Sequence, residues 1–224
     1  MTASLRLVVF DVDGTLVDSQ HQICAAMEAA FAAEDAPPPG RDQTLGIVGL
    51  SLPEAVEVLA PGLGADRRQR IVAAYKAQFL PLAGGAPAPL YPGAAAVLQE
   101  LAGRDDLLLG VATGKSRRGL DRMIAAHGFH GLFFTRQVAD DHPSKPHPSM
   151  LMAALAEAGV TADRAVMIGD TTFDMEMGRL AGVATIGVGW GYHRPAALAE
   201  QGARRVIDRF ADLIPAIDSI WGQA

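Results

Sequence analysis

Short apolar runs recur along the chain, and several end at an acid or a threonine. Leu7-Val8-Val9-Phe10 runs into Asp11 and Asp13. Leu107 to Ala112, Ala165 to Ile168, Ala184 to Val188 and Arg205 to Ile207 repeat the pattern, with a weaker run around Phe133 to Val138. Runs this short and continuous, with no polar alternation, read as strands buried on both faces, as in parallel sheets. Helical patterning separates them, over about Ala94 to Ala102, Ser116 to His127, Pro148 to Ala158 and Thr172 to Ala181. Strand alternating with helix predicts an α/β fold, a three-layer Rossmann-like parallel sheet covered by helices on both sides.

The stretch from Ser19 to Leu82 breaks that rhythm. Ile23, Met27, Ala30 and Phe31 share one helical face, and Ala55, Val56, Leu59, Ile71, Val72, Tyr75 and Phe79 continue the pattern, with no convincing strand among them. Pro37-Pro38-Pro39-Gly40 breaks the first helix, and Gly84-Gly85-Ala86-Pro87-Ala88-Pro89 reads as a hinge back to the sheet. The expected organisation is therefore a catalytic core over residues 1–18 and 84–224, with a small all-helical cap over 19–83.

Composition narrows the function. The 224 residues are half hydrophobic, enough for a substantial core. The formal net charge of -6 argues against a nucleic-acid partner, which needs a basic face. The Arg67-Arg68-Gln69-Arg70 and Arg117-Arg118 clusters are short and read as solvated helix faces. The lone Cys24, among apolar neighbours, reads as a buried thiol and fits a reducing compartment. No secretory h-region and no run of about 18 apolar residues is present, so a cytoplasmic protein with no membrane partner is expected. Oligomeric state is left open between monomer and homodimer.

Candidate chemistry gathers at strand ends, where open parallel sheets bind ligands. In an extended segment residues two apart point the same way, so Asp11 and Asp13 can face one site, and Gly14 permits a turn after them. Two carboxylates so close need a cation or a proton between them; a plain acidic turn is the competing reading. Thr113-Gly114-Lys115 stands between a strand and a helix. A hydroxyl and backbone N–H groups there can hold phosphoryl oxygens, although a plain helix cap is the simpler reading. Lys115 is left as either a site residue or a solvent-facing one. Lys145 sits in a loop stiffened by Pro143, Pro146 and Pro148, flanked by His142 and His147, which read as loop residues. Asp170 follows the apolar run ending at Ile168-Gly169, and Asp174 falls in the first turn of the next helix. Carboxylate oxygens suit Mg²⁺.

Together Asp11-Val12-Asp13-Gly14-Thr15, Thr113, Lys145-Pro146 and Gly169-Asp170-x-x-x-Asp174 resemble the haloacid dehalogenase superfamily, in its phosphatase branch with a helical cap after the first strand. The resemblance implies that Asp11 attacks phosphorus and forms an aspartyl phosphate, while Asp13 protonates the leaving oxygen and then deprotonates water. It implies phosphate-binding roles for Thr113 and Lys145, with Gly14, Thr15 and Gly114 beside the substrate, and Mg²⁺ held by the set Asp11, Asp13, Asp170 and Asp174. Asp13 sets the chain apart from the dehalogenase and phosphonate-cleaving branches. The later Gly189-Trp190-Gly191-Tyr192 and Gly202-Ala203 segments make the whole pattern similar to phosphoglycolate phosphatases.

The expected substrate is a small phosphorylated metabolite, with 2-phosphoglycolate in front. Alternatives are a sugar-phosphate mutase, a pyrophosphatase or nucleotidase of the same family, or a non-catalytic phosphate-binding regulatory protein. Specificity is expected from the cap, through the Leu45-Gly46-Ile47-Val48-Gly49-Leu50-Ser51 loop, where Gly46 and Gly49 allow close approach to a ligand. Arg41, Lys76 and the Arg67 cluster are its basic candidates.

Overall fold

A computed structural model of the chain describes residues 5–82 and 87–222. Strand β1 (Arg6–Phe10) is followed by four helices, α1 (Gln20–Ala32), α2 (Arg41–Leu45), α3 (Leu52–Leu59) and α4 (Ala65–Leu82). The chain then returns through α5 (Ala94–Ala102) to β2 (Leu107–Thr113), α6 (Arg117–His127), β3 (Thr135–Val138) and α7 (Ser149–Ala158). Next come β4 (Ala165–Gly169), α8 (Thr172–Ala181), β5 (Ala184–Val188), α9 (Pro195–Glu200), β6 (Arg205–Ile207) and α10 (Leu213–Trp221).

The six strands form one parallel sheet in the order β3-β2-β1-β4-β5-β6. Strand β1 lies inside it, with Phe10 beside Val111 of β2 and Ile168 of β4. Its side chains alternate as strand geometry requires. Val8 and Phe10 pack with Leu98, Leu101, Leu120, Leu213 and Ile217 of α5, α6 and α10. Leu7 and Val9 pack on the other face with Met150, Leu151 and Ala154 of α7 and Met177 of α8. Burial on both faces explains why the strands read as unbroken apolar runs.

The expected helices mostly match, but α9 and α10 go beyond the sequence reading. Helix α10 carries the spacing of a buried face at Leu213, Ala216 and Ile217. The weak run near Phe133 yields only the four-residue edge strand β3. Cys24, expected to be buried, is only partly buried.

Helices α1 to α4 build an apolar cluster of their own from Met27, Ala30, Phe31, Ile47, Val56 and Ile71 among others. None of these residues belongs to the two clusters on the sheet. The two connections to the sheet run side by side. Val17 pairs antiparallel with Leu90, Asp18 N–H donates to Pro89 O at 2.8 Å, and Tyr91 N–H donates to Leu16 O at 3.0 Å. The boundary expected at 83/84 lies outside the described residues.

Candidate active site

Strand order reverses across β1 and β4, so the carboxyl ends of these neighbours open a crevice. Asp11 leaves the end of β1, with its N–H donating to Ile168 O at 2.9 Å. Asp170 leaves the end of β4, and Asp174 follows at the third position of α8. All three are buried, and each offers a carboxylate oxygen within 4.8 Å of the others. Lys145, also buried, comes from the loop between β3 and α7. Its ammonium donates to Asp11 Oδ1 at 2.8 Å and to Asp174 Oδ1 at 2.7 Å.

Each acid is held differently. Thr171 and Asp174 form a capping box, in which Asp174 Oδ2 accepts from Thr171 N–H at 3.1 Å and Thr171 Oγ accepts from Asp174 N–H at 3.3 Å. The short side chain that starts α8 therefore also fixes Asp174. Asp170 accepts from Thr15 Oγ at 2.8 Å on one oxygen and from Tyr192 N–H at 2.9 Å on the other. Gly14 has φ +83°, and a Cβ there would lie 2.2 Å from Asp170 Oδ2, so this turn takes glycine for space as well as for conformation.

Asp11 Oδ2 is buried with no hydrogen-bond partner among the described residues. Burial pushes the Asp11 carboxyl up to about 6, against the pull of Lys145 and with help from the Asp174 and Asp13 charges. Asp170 is raised well above the usual carboxylate range, first by burial and then by Asp11 and Asp174. Burial alone would lower Lys145, but Asp11 and Asp174 together raise it, so the ammonium stays charged. With all three ionised, the carboxylates against one ammonium leave two negative charges, which one divalent cation would balance in place of the protons that burial favours. An orphaned carboxylate oxygen among hard oxygen donors is the environment Mg²⁺ takes, so the residues fit the ion.

The structure places the Asp13 carboxylate outside this cluster. It is gripped by Lys115, whose Nζ lies 2.9 Å from Oδ1 and 2.8 Å from Oδ2, and by Ser19 Oγ at 2.6 Å. The backbone turns within this motif, where Thr15 and Leu16 N–H both donate to Val12 O, and the Asp13 charge is among those that raise Asp11. Ser19 is in turn 3.1 Å from the Tyr192 hydroxyl. Thr113, buried at the end of β2, accepts from Lys115 N–H at 3.2 Å. The cap of α6 is Ser116, whose Oγ accepts from Gly119 N–H, so Thr113 is not spent as the helix cap.

Gly114 and Gly49 come together at the seam between the helical segment and the sheet. A Cβ on Gly114 would lie 2.6 Å from the carbonyl oxygens of Gly49 and Leu50, so the close approach it permits is that of the 45–51 loop. Ser51 N–H donates to Ser144 Oγ at 2.8 Å, next to Lys145. His193 Nδ1 accepts from Thr172 N–H at 3.1 Å, so Nε2 carries the proton and donates to Gly46 O at 3.2 Å. The basic candidates of the helical segment face elsewhere: Arg68 pairs with Glu57, Arg70 with Glu34, and Lys76 is exposed. Arg67 donates to Glu34 O and Arg41 to Gln20. His142 contacts Ser149 and Gln137.

The haloacid dehalogenase-like hydrolase profile matches residues 8–188, from β1 to the end of β5. The chain belongs to the haloacid dehalogenase-like hydrolase family. Among its relatives, the protein named "Probable phosphatase IndB" of Dickeya dadantii is 34% identical over 221 residues, covering 96% of this chain and 94% of that protein. The phosphoglycolate phosphatase of Rhodospirillum rubrum is 33% identical over 219 residues, covering 93% of this hydrolase and 89% of the relative. A hydrolase from Pseudomonas syringae superposes with a TM-score of 0.85 at 25% identity, over 96% of this chain and 99% of that one.

Serine 19, Tyr192, Ser144 and His193 were not singled out for the site by sequence reasoning. Tyr192 had a signal, since it follows a strand end in Gly189-Trp190-Gly191-Tyr192. Ser19 closes the run from Phe10 to Ser19 but has no pattern to distinguish it from a helix cap.

Proposed function

We propose that this phosphatase hydrolyses the monoester of a small phosphorylated metabolite in a Mg²⁺-dependent reaction through an aspartyl phosphate on Asp11, with 2-phosphoglycolate as the favoured substrate. The observation that carries this reading is the condition of Asp11. It is a buried carboxylate with one oxygen on Lys145 and the other unpartnered, in a cluster with Asp170 and Asp174. The preference for 2-phosphoglycolate draws on the relatives named for that activity.

Asp11, Asp170 and Asp174 would hold the metal. Mg²⁺ when bound screens the phosphate charge from the carboxylates and stabilises the charge that develops on the transferring group. A carboxylate of Asp11 attacks phosphorus while the ester oxygen departs with a proton from Asp13 in its acid form. Lys145 stabilises the phosphoryl oxygens and keeps Asp11 ionised, and the Thr113 hydroxyl binds the same oxygens. The Asp13 carboxylate then takes a proton from water, which attacks phosphorus and frees Asp11. In this reading residues 19–83 act as a cap that excludes bulk water while the acyl phosphate exists. Its 45–51 loop and Ser51–Ser144 contact form the closed edge.

The test is phosphate release from a panel of small monoesters and pyrophosphate, with Mg²⁺ and with chelator, beside the Asp11→Asn variant. Release that needs both Mg²⁺ and Asp11, with 2-phosphoglycolate preferred, supports the reading. Substantial turnover by Asp11→Asn sinks it.

A further inference from the structure

The described lysines that touch the aspartates differ in one respect. Lys145 is wholly buried and committed to Asp11 and Asp174. Lys115 keeps 14% of its side chain exposed, and its partner is Asp13, the group assigned a proton-transfer role above. Asp13 is also held by Ser19 at 2.6 Å, so it keeps a donor when the lysine moves away. The stem of Lys115 is anchored at the backbone, where its N–H reaches Thr113 Oγ and its carbonyl accepts from Ala139 N–H at 3.2 Å.

Two further features single it out. Gly119 lies in the first turn of α6, a helical position for which glycine has a poorer propensity than alanine. A Cβ there would lie 2.7 Å from Lys115 Cγ, so the glycine clears the path of the lysine stem. From the other side Phe79 of α4 places its ring 5.6 Å from Lys115 Nζ, and Tyr75 packs on Phe79. A positive charge is thus carried to the seam between the helical segment and the aspartates. Around it the site is strongly negative, and a leaving group bearing its own charge would be repelled without a cation.

We propose that Lys115 selects substrates that carry a second negative charge beside the phosphoester, a carboxylate or a second phosphate. It pairs with Asp13 in the free protein and exchanges that partner for the anionic group of the bound substrate. The exchange leaves Asp13 on Ser19, next to the oxygen that departs. The inference rests on the monoesterase reading and specifies the substrate class it serves.

A matched pair of substrates tests it: 2-phosphoglycolate and 2-hydroxyethyl phosphate, which differ in the carboxylate. Pyrophosphate supplies the arm in which the second charge is a phosphate. A charge-assisted contact corresponds to roughly a 10- to 100-fold preference in kcat/KM for the charged member. Lys115→Met collapses that ratio towards one, whatever loss both substrates share. Lys115→Arg retains part of it. Gly119→Ala, which favours the helix while pushing on the lysine stem, shifts the ratio the same way with the charge still present. Whichever of 2-phosphoglycolate and pyrophosphate loses its advantage identifies the anion. An unchanged ratio in Lys115→Met, with both rates reduced alike, overturns the proposal and leaves Lys115 as a support for Asp13 alone. A wild-type protein that prefers neither member also overturns it. Absence of phosphate release from every substrate refutes the monoesterase reading instead, and this inference with it.

Discussion

Asp11 gives the native protein a pH dependence that can be worked out in advance. Its carboxyl has an ordinary value of 3.8 and is lifted to about 6 by burial, with Lys145 opposing and Asp174 adding. The folded protein therefore holds a proton on Asp11 in a pH range where the unfolded chain has lost it. Stability changes with pH as the protons bound unfolded minus those bound folded, so the slope is negative between these two values. The contribution is fully present below pH 3.8, is lost as pH rises through about 6, and is flat beyond. At about 1.36 kcal/mol per pH unit, the lift amounts to about 3 kcal/mol. Asp11→Asn removes this titration while keeping the shape of the side chain. The stability gap between the variant and the natural protein should therefore move in the variant's favour by about 2 kcal/mol from pH 4 to pH 7, most of the full lift. Urea unfolding of both proteins in chelator, at several pH values across that range, measures it. Added Mg²⁺ at pH 7 should stabilise the natural protein more than the variant and shrink the gap. A gap that stays constant, or moves against the variant as pH rises, refutes the buried, uncompensated carboxylate on which the metal assignment stands.

Other consequences follow from the same contacts. Thr15→Val removes the 2.8 Å hydrogen bond to Asp170 Oδ1 and should weaken Mg²⁺ binding by roughly 10- to 100-fold, read as the Mg²⁺ dependence of phosphate release. Gly14→Ala places a Cβ 2.2 Å from Asp170 Oδ2 at φ +83°, so activity should be lost along with Mg²⁺-induced stabilisation, measured by thermal unfolding with and without the ion. Lys145→Met strands Asp11 and Asp174 in the interior and should cost roughly 3–5 kcal/mol at neutral pH without metal, with part of the loss recovered at pH 4. A loss that does not ease on acidification argues against carboxylate repulsion as its cause.

Much of this site was legible because the fold repeats one local device. An apolar run buried on both faces must end at the sheet edge, and Asp11, Thr113 and Asp170 each stand at such an end. Lys145 was legible from its proline-stiffened loop, and Asp174 from its place in the first turn of α8. The partners of Asp13 were harder to read. Lys115 is 102 residues away in sequence and Tyr192 lies 173 residues from Ser19, so their meeting depends on packing that no local spacing records. The turn that starts at Val12, with Thr15 and Leu16 N–H on its carbonyl, was not legible from the alternation of Asp11 and Asp13. Gly114 was read as lying beside the substrate, and its Cα also receives the carbonyls of Gly49 and Leu50 from the 45–51 loop. Glycine marks close approach without saying what approaches.

The central claim is that Asp11 carries the phosphoryl group during turnover. Labelled 2-phosphoglycolate mixed with the Mg²⁺-loaded protein and quenched in acid within a turnover tests it directly. The account predicts label bound to the chain, on the peptide containing Asp11 and released by hydroxylamine as an acyl phosphate would be, with none in Asp11→Asn. Rapid phosphate release with no label on the protein at any quench time, or label on another residue, would contradict it.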